Sequence, residues 1–296
     1  GDDLLKDGGG LLTMPIPIST PGFDPAPYLT SPYCVTKDPD TGIINVGTYR
    51  VMIKSQTTAG VMVHQAQHIG IHHHMWKEMV KPMPMAVVLG GAPALGYTSV
   101  SKVPYGVSEY TVAGAMIGEP LELVKCQTVD IEVPAHAEIV IEGYVDTDHL
   151  ELEAPFGEYT GYMGPRAHNP TFRVTCITHR KKPLYQAFIS QMPPSESSVI
   201  KKASFDGSLF KLLRHDCNIP SVKDVALLEM SGSTEFVVVQ MKKTNPAQPW
   251  QALNAAAALD PMIGKIIVVV DDDIDPNDPE SLIWALSFSS WASTLR

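Results

Sequence analysis

The chain has 296 residues, 44% of them hydrophobic and 18% charged, with a formal net charge of -10. That length allows one large domain or two ordinary ones, and the acidic balance argues against a nucleic-acid footprint, which needs clustered basic charge. No apolar run approaches the ~20 residues of a membrane span, nothing at the N-terminus reads as a signal peptide, and Cys34, Cys126, Cys176 and Cys217 form no CxxC pair, so buried free thiols in a reducing cytoplasm are expected.

Residues 1–27 carry Gly8-Gly9-Gly10 and Pro15, Pro17, Pro21 and Pro25. They predict an extended linker that needs a body to lie against, and the sequence reads as part of a longer chain. From Tyr28 to about residue 193, short apolar runs alternate with turns. Strands are expected over residues 31–36, 43–54, 57–63, 85–90, 121–126, 131–133, 138–144, 172–179 and 184–189. Asp38-Pro39-Asp40-Thr41-Gly42 is a turn signal, and so many short strands imply a barrel or sandwich. One helix is expected over 67–80 and another over 108–117, capped by Ser108.

From Ser195 the pattern changes. Helices over 195–214, 249–259 and 278–287 alternate with strands over 222–229, 235–241 and 265–270. The last strand is wholly apolar, which suggests that both its faces are covered. The class is therefore α+β, with a smaller α/β layered domain over 194–296, incomplete at its C-terminal end.

The chemistry centres on Glu153-Ala154-Pro155-Phe156-Gly157-Glu158, followed by Tyr159-Thr160-Gly161-Tyr162. Pro155 and Gly157 make a poor helix, and on a regular strand the two glutamates would face opposite ways. A bent loop lets both acids reach one pocket. There they cannot ionise independently, and the one that keeps a proton can act as a general acid. A hairpin with two solvated glutamates is the plain alternative.

Further motifs follow in order: Asn45-Val46-Gly47-Thr48-Tyr49-Arg50, Gln67-His68, Ser108-Glu109 and Gly264-Lys265 ahead of an apolar run. Together with the acid pair, these resemble the UbiD family of decarboxylases, which use prenylated FMN, over nearly the whole chain from Tyr28. The resemblance implies a split β-barrel flavin-binding domain over 28–193. It also implies reversible non-oxidative decarboxylation of an aromatic or α,β-unsaturated acid. Glu158 would be the proton donor, and Arg50 and Glu153 would complete an ionic network. Thr48, Tyr49, Arg50, Met62, Val63, His64, Gln67 and His68 would line the flavin, and Lys265 would meet its phosphate.

Asn45, His68 and Glu109 would hold the metal that ties down that phosphate. Their mixed oxygen and nitrogen donors suit Mn²⁺ or Mg²⁺ better than zinc, and K⁺ is a further expected ion. A flavin prenyltransferase would supply the cofactor, and a homo-oligomer, dimer or higher, is expected. The Tyr49 form of the motif points to a hydroxybenzoate-like substrate.

Asn45 and Arg50 have opposite parity on a regular strand, so a β-bulge at Gly47 is expected to turn both toward one site. Bland alternatives remain for each residue: a helix-start histidine, a surface arginine, and a lysine that snorkels to solvent. His64, His68 and His72 would form a zinc-like stripe only if the helix began before His64, and His72 to His74 are read as mostly solvated or interfacial. Competing functions are a split-barrel flavin redox enzyme, a non-catalytic or flavin-binding subunit of a larger carboxylase assembly, and a histidine-cluster metallohydrolase with its metal at His64, His68 and His72.

Overall fold

The computed structural model describes residues 5–6, 8–189, 191–260 and 263–288, in two units, residues 1–190 and 191–296. The strands of the first unit are β1 (Tyr28–Leu29), β2 (Tyr33–Lys37), β3 (Ile44–Thr48), β4 (Val51–Ile53), β5 (Thr58–Val61), β6 (Met83–Leu89), β7 (Leu123–Lys125), β8 (Glu132–Pro134), β9 (Ile139–Glu153), β10 (Phe156–Gly157), β11 (Met163–Gly164) and β12 (Ala167–His179). Its helices are α1 (His68–Glu78), α2 (Pro93–Thr98) and α3 (Glu109–Ile117).

One antiparallel sheet of eight strands runs in the order β1-β4-β5-β12-β9-β6-β2-β3. β3 forms one edge, and β4 lies one strand in from the other, yet only Tyr49 and Arg50 separate them in sequence. The three peptide steps from Thr48 to Val51 span at most about 11 Å. The sheet must therefore curl until its two sides meet, which makes it a half-barrel with Tyr49-Arg50 as its seam. Alternation along β6 shows the result: Met83, Met85, Val87 and Leu89 enter one core while Ala86 and Val88 enter another. Ile69 of α1 packs into the first core, and Leu95 of α2 with Tyr110 and Ala113 of α3 into the second. Leu11 is buried in the first core, and its N–H donates to the Gln56 carbonyl at 3.0 Å.

Three local expectations are corrected. The bulge at Gly47 does not form: the β2–β3 register is unbroken from Tyr33↔Thr48 through Cys34↔Gly47 to Lys37↔Ile44. The chain instead leaves the ladder after Thr48, whose N–H donates to the Ser99 carbonyl at 3.0 Å. The single strand expected over 43–54 is thus two strands on opposite sides of the seam. Gly47 serves close approach, because a Cβ there would lie 2.3 Å from the Tyr49 ring. Residues 184–189 form no strand; this stretch is tied by side chains, Gln186 donating to Ser31 and Tyr33 and the Phe188 N–H to Thr30. Cys34 and Cys176 are buried, whereas Cys217 is exposed and Cys126 partly so.

The second unit contains α4 (Glu196–Lys211), β13 (Val222–Leu227), β14 (Phe236–Met241), α5 (Gln248–Ala257), β15 (Ile266–Val270) and α6 (Pro279–Phe288). Ser195 and Ser198 form a capping box that starts α4. The sheet order is β13-β14-β15, antiparallel and then parallel. Its two faces pack against Leu209 of α4 and Ala252 of α5, and against Leu282 of α6. β15 is not covered on both faces as its composition suggested. It is an edge strand in which only Val270 is buried and Ile266 is 49% exposed.

Candidate active site

The two acids of the bend converge on Arg50. Its Nε donates to Glu153 Oε1 and its Nη2 to Glu153 Oε2, both at 2.9 Å, and its Nη1 donates to Glu158 Oε1. The local chain path explains this. Glu153 ends β9, Ala154 takes a left-handed φ of 76°, and β10 then pairs with β11 in a short hairpin closed by Glu158 N–H to the Tyr162 carbonyl at 2.9 Å. Two glycines leave room for the charged groups. A Cβ at Gly164 would lie 3.1 Å from Arg50 Nη1 and 3.3 Å from Glu158 Cγ, and one at Gly60 would lie 3.2 Å from Glu153 Cγ.

The two carboxylates differ in setting. Glu153 has 0% side-chain exposure and also accepts from Asn169 Nδ2 at 3.1 Å, whereas Glu158 is 31% exposed. Arg50 lies with Cζ 5.6 Å from the centre of the Phe156 ring, which packs 4.4 Å from the Tyr28 ring. Burial alone would lower the Arg50 pKa, but the hydrogen bonds and charges of Glu153 and the charge of Glu158 outweigh it and raise it, so the guanidinium stays charged. Burial and the Glu153 charge push the Tyr28 phenol up. Asn169, Tyr28 and Phe156 were not singled out from the sequence. Asn169 reaches Glu153 only because β12 pairs with β9 in the register Glu151↔Asn169, which no local pattern announces.

On the other side of Tyr49, His68 and Glu109 come together, and Asn45 precedes Val46, whose N–H meets Glu109. Ser108 caps α3 by accepting from the Tyr110 N–H, which sets Glu109 as the first helical residue. Glu109 is buried, and one of its oxygens accepts from the Val46 N–H at 2.7 Å. The other lies 4.0 Å from His68 Nδ1. That is too long for a hydrogen bond, but two ligands of an ion held at 2.0–2.1 Å lie about 3 to 4 Å apart. Burial raises the Glu109 carboxyl to about 7, and burial with the Lys102 charge lowers His68. A cation between them would offset the cost of burying the carboxylate. Asn45 donates to Thr36 Oγ1 at 3.2 Å, and its amide carbonyl oxygen is a potential donor to an ion. The donor set thus fits a hard divalent ion. Among the described residues, no group of three His, Cys, Asp or Glu side chains is placed to hold a metal; this site counts an amide among its donors.

The histidine stripe does not exist. His64 precedes α1, is exposed, and accepts from the Ala66 N–H. His72 is not solvated but 1% exposed, with Nδ1 2.9 Å from Thr36 Oγ1. His73 meets the Asp146 carbonyl, and only His74 of the three is exposed. Of the remaining flavin-lining candidates, Thr48 hydrogen-bonds Ser99, the Met62 N–H donates to the Arg50 carbonyl, Val63 packs against the first core, and Gln67 stands exposed at the start of α1. Lys265 belongs to the second unit and is exposed just ahead of β15.

Known proteins share this sequence and fold. The model of the 3-octaprenyl-4-hydroxybenzoate carboxy-lyase Rift-related domain matches residues 4–193, and that of the C-terminal domain of the same family matches residues 200–290. A protein of Archaeoglobus fulgidus is 35% identical over 272 residues, 89% of this chain and 55% of the relative. One of Aquifex aeolicus is 37% identical over 262 residues, 87% of this chain and 53% of the relative. The chain thus spans about half the length of these relatives.

Among solved structures, an evolved dimeric form of the UbiD-class enzyme HmfF from Pelotomaculum thermopropionicum, in complex with prFMN, superposes with a TM-score of 0.89 at 34% identity over 95% of this chain and 65% of that one. The vanillic acid decarboxylase of Sedimentibacter hydroxybenzoicus gives a TM-score of 0.86 at 26% identity over 94% and 60%. Both family models, matched end to end along the half-barrel and the following α/β unit, establish that the chain belongs to the UbiD family.

Proposed function

We propose that this chain carries the catalytic groups of a prenylated-FMN-dependent decarboxylase acting on an aromatic or α,β-unsaturated acid, with a hydroxybenzoate-like acid as the first candidate. The observation that carries this reading is the convergence of Glu153 and Glu158 on one half-buried guanidinium. Bound in the half-barrel, the cofactor would supply the electron sink for the bond to the departing CO₂.

The chain's own groups divide the remaining work. Arg50 has five N–H donors, of which three go to the two glutamates; two are left to orient a substrate carboxylate. Glu153 spends its oxygens on Arg50 and Asn169 out of reach of solvent, so it anchors the arginine rather than exchanging protons. Glu158 has a single link to Arg50 and a path to water. A substrate carboxylate arriving beside it disfavours a second negative charge and favours its acid form. Once CO₂ leaves, Glu158 gives that proton to the vacated carbon and regains one from solvent. Asn45, His68 and Glu109 would hold Mn²⁺ or Mg²⁺ against the flavin phosphate, with K⁺ nearby, and Lys265 would add a point charge.

The same reading makes a flavin prenyltransferase the cofactor supplier, the cytoplasm the location and a homo-oligomer the working form. No described helix is long and apolar enough to cross a membrane. The test is to produce the protein alongside a flavin prenyltransferase, extract the ligand and record its absorbance and mass, then follow CO₂ release from hydroxybenzoates. Prenylated FMN with turnover is expected. Plain FMN with hydride exchange would favour a split-barrel redox enzyme. No ligand at all would favour a non-catalytic subunit of a larger carboxylase assembly.

A further inference from the structure

Residues 101–107 link α2 to α3 beside the Asn45, His68 and Glu109 cluster. Backbone hydrogen bonds of this loop are local: Ser101 to Thr98, Val103 to Ser101, and Val107 to Pro104. The Tyr105 side chain ties it across to another element. The Tyr105 hydroxyl donates to Asp38 Oδ2 at 2.6 Å. Asp38 is 2% exposed, and its other oxygen accepts the N–H groups of Asp40 and Thr41 at 2.8 and 2.9 Å, so the turn after β2 fixes it in place.

The Tyr105 ring stands edge-on to His68, with centres 5.3 Å apart and an interplanar angle of 83°, and to His72 at 5.9 Å and 74°. Tyr105 is nevertheless 45% exposed. Hydrophobic burial does not account for its place; the hydrogen bond to a buried carboxylate does. Gly106, at φ +89°, turns the chain directly after it, and three residues further on the same loop delivers Glu109. One contact therefore sets both the ring that abuts His68 and the entry to the helix that presents Glu109.

We propose that Tyr105 is a positioning residue for the cation cluster: held by Asp38, it keeps the loop shut against His68 and slows the exit of the bound ion. This rests on the reading of Asn45, His68 and Glu109 as ligands. Two variants separate its parts. Tyr105→Phe keeps the ring against His68 and removes the hydrogen bond, whereas Tyr105→Ala removes both. A hydrogen bond to a charged group contributes about 1.5–3 kcal/mol, so its loss should open the loop about tenfold or more often.

The test uses the full-length protein loaded with Mn²⁺ and measures three quantities. These are tryptic cleavage after the exposed Lys102, the rate of Mn²⁺ release into excess chelator, and the electron paramagnetic resonance spectrum of the bound ion. For Tyr105→Phe, cleavage and release should each accelerate about tenfold or more while the spectrum stays near that of the wild type. Tyr105→Ala should also alter the spectrum, which a merely structural loop contact would not do. Unchanged cleavage in Tyr105→Phe would overturn the anchoring of the loop. Faster cleavage with unchanged Mn²⁺ release would overturn its role at the cluster. A wild type that holds no Mn²⁺ would overturn the ligand reading itself, and the cleavage arm then decides the anchoring of the loop by itself.

Discussion

Two glutamates five residues apart share one arginine, and their surroundings assign them different tasks. Glu153 is fully buried behind three N–H donors, while Glu158 keeps a face to water. Glu158→Gln in the holoenzyme should therefore leave cofactor retention and melting temperature near normal while turnover falls by roughly 10²–10⁴, the usual worth of a positioned acid; a near-normal rate contradicts the assignment. Arg50→Lys keeps the charge but loses the planar fork. It should lower the rate and substrate affinity together, and it should cost about 1–3 kcal/mol in urea unfolding because Glu153 is left short of donors in a dry site. The sequence drew attention to the acid pair through the bend at Pro155, and to Arg50 through the family resemblance. It did not show Asn169, whose contribution depends on a cross-strand register between residues far apart in the chain.

At the scale of elements, the seam of the half-barrel and the start of α3 carry the site. Most strands and the helices that carry His68 and Glu109 could be placed from periodicity and from Ser108. The break at Tyr49-Arg50 could not, since residues 43–54 read as one strand and local alternation is blind to the curling of a sheet. Gly47 was noticed for the wrong reason: its hydrogen atom makes room for the Tyr49 ring rather than for an extra residue in the ladder. Gly47→Ala should force Tyr49 aside and cost about 1–3 kcal/mol as an overpacked contact, measured as a lower urea midpoint. Ser108→Ala should remove the cap of α3 at a cost of about 1 kcal/mol and weaken Mn²⁺ binding in a direct titration, because Glu109 is the residue that the cap places. An unaltered Mn²⁺ affinity would separate Glu109 from the ion.

For the molecule as a whole, acidity provides a probe of folding. Burial lowers His72 from its ordinary 6.5 to about 4, with the nearby Asp38 charge opposing the shift. Between those values the unfolded chain binds a proton that the folded one refuses. Stability from this residue is therefore complete above about pH 6.5 and is lost as pH falls through about 4, roughly 3 kcal/mol in all. Urea unfolding at about pH 7 and about pH 5 should show this decline in the wild type and a flatter profile in His72→Gln; equal slopes would contradict it. The sheet's curvature has a consequence for how such a chain can change over time. The crossing between its two sides acts as a ruler, with His68 and Glu109 near one end and the Arg50, Glu153 and Glu158 network at the other. Side chains around that span can be exchanged one by one, but a single inserted residue would rotate one end against the other and uncouple them. We expect an insertion scan of residues 45–50 to abolish activity at every position, while insertions in the exposed turn at residues 244–247 are tolerated.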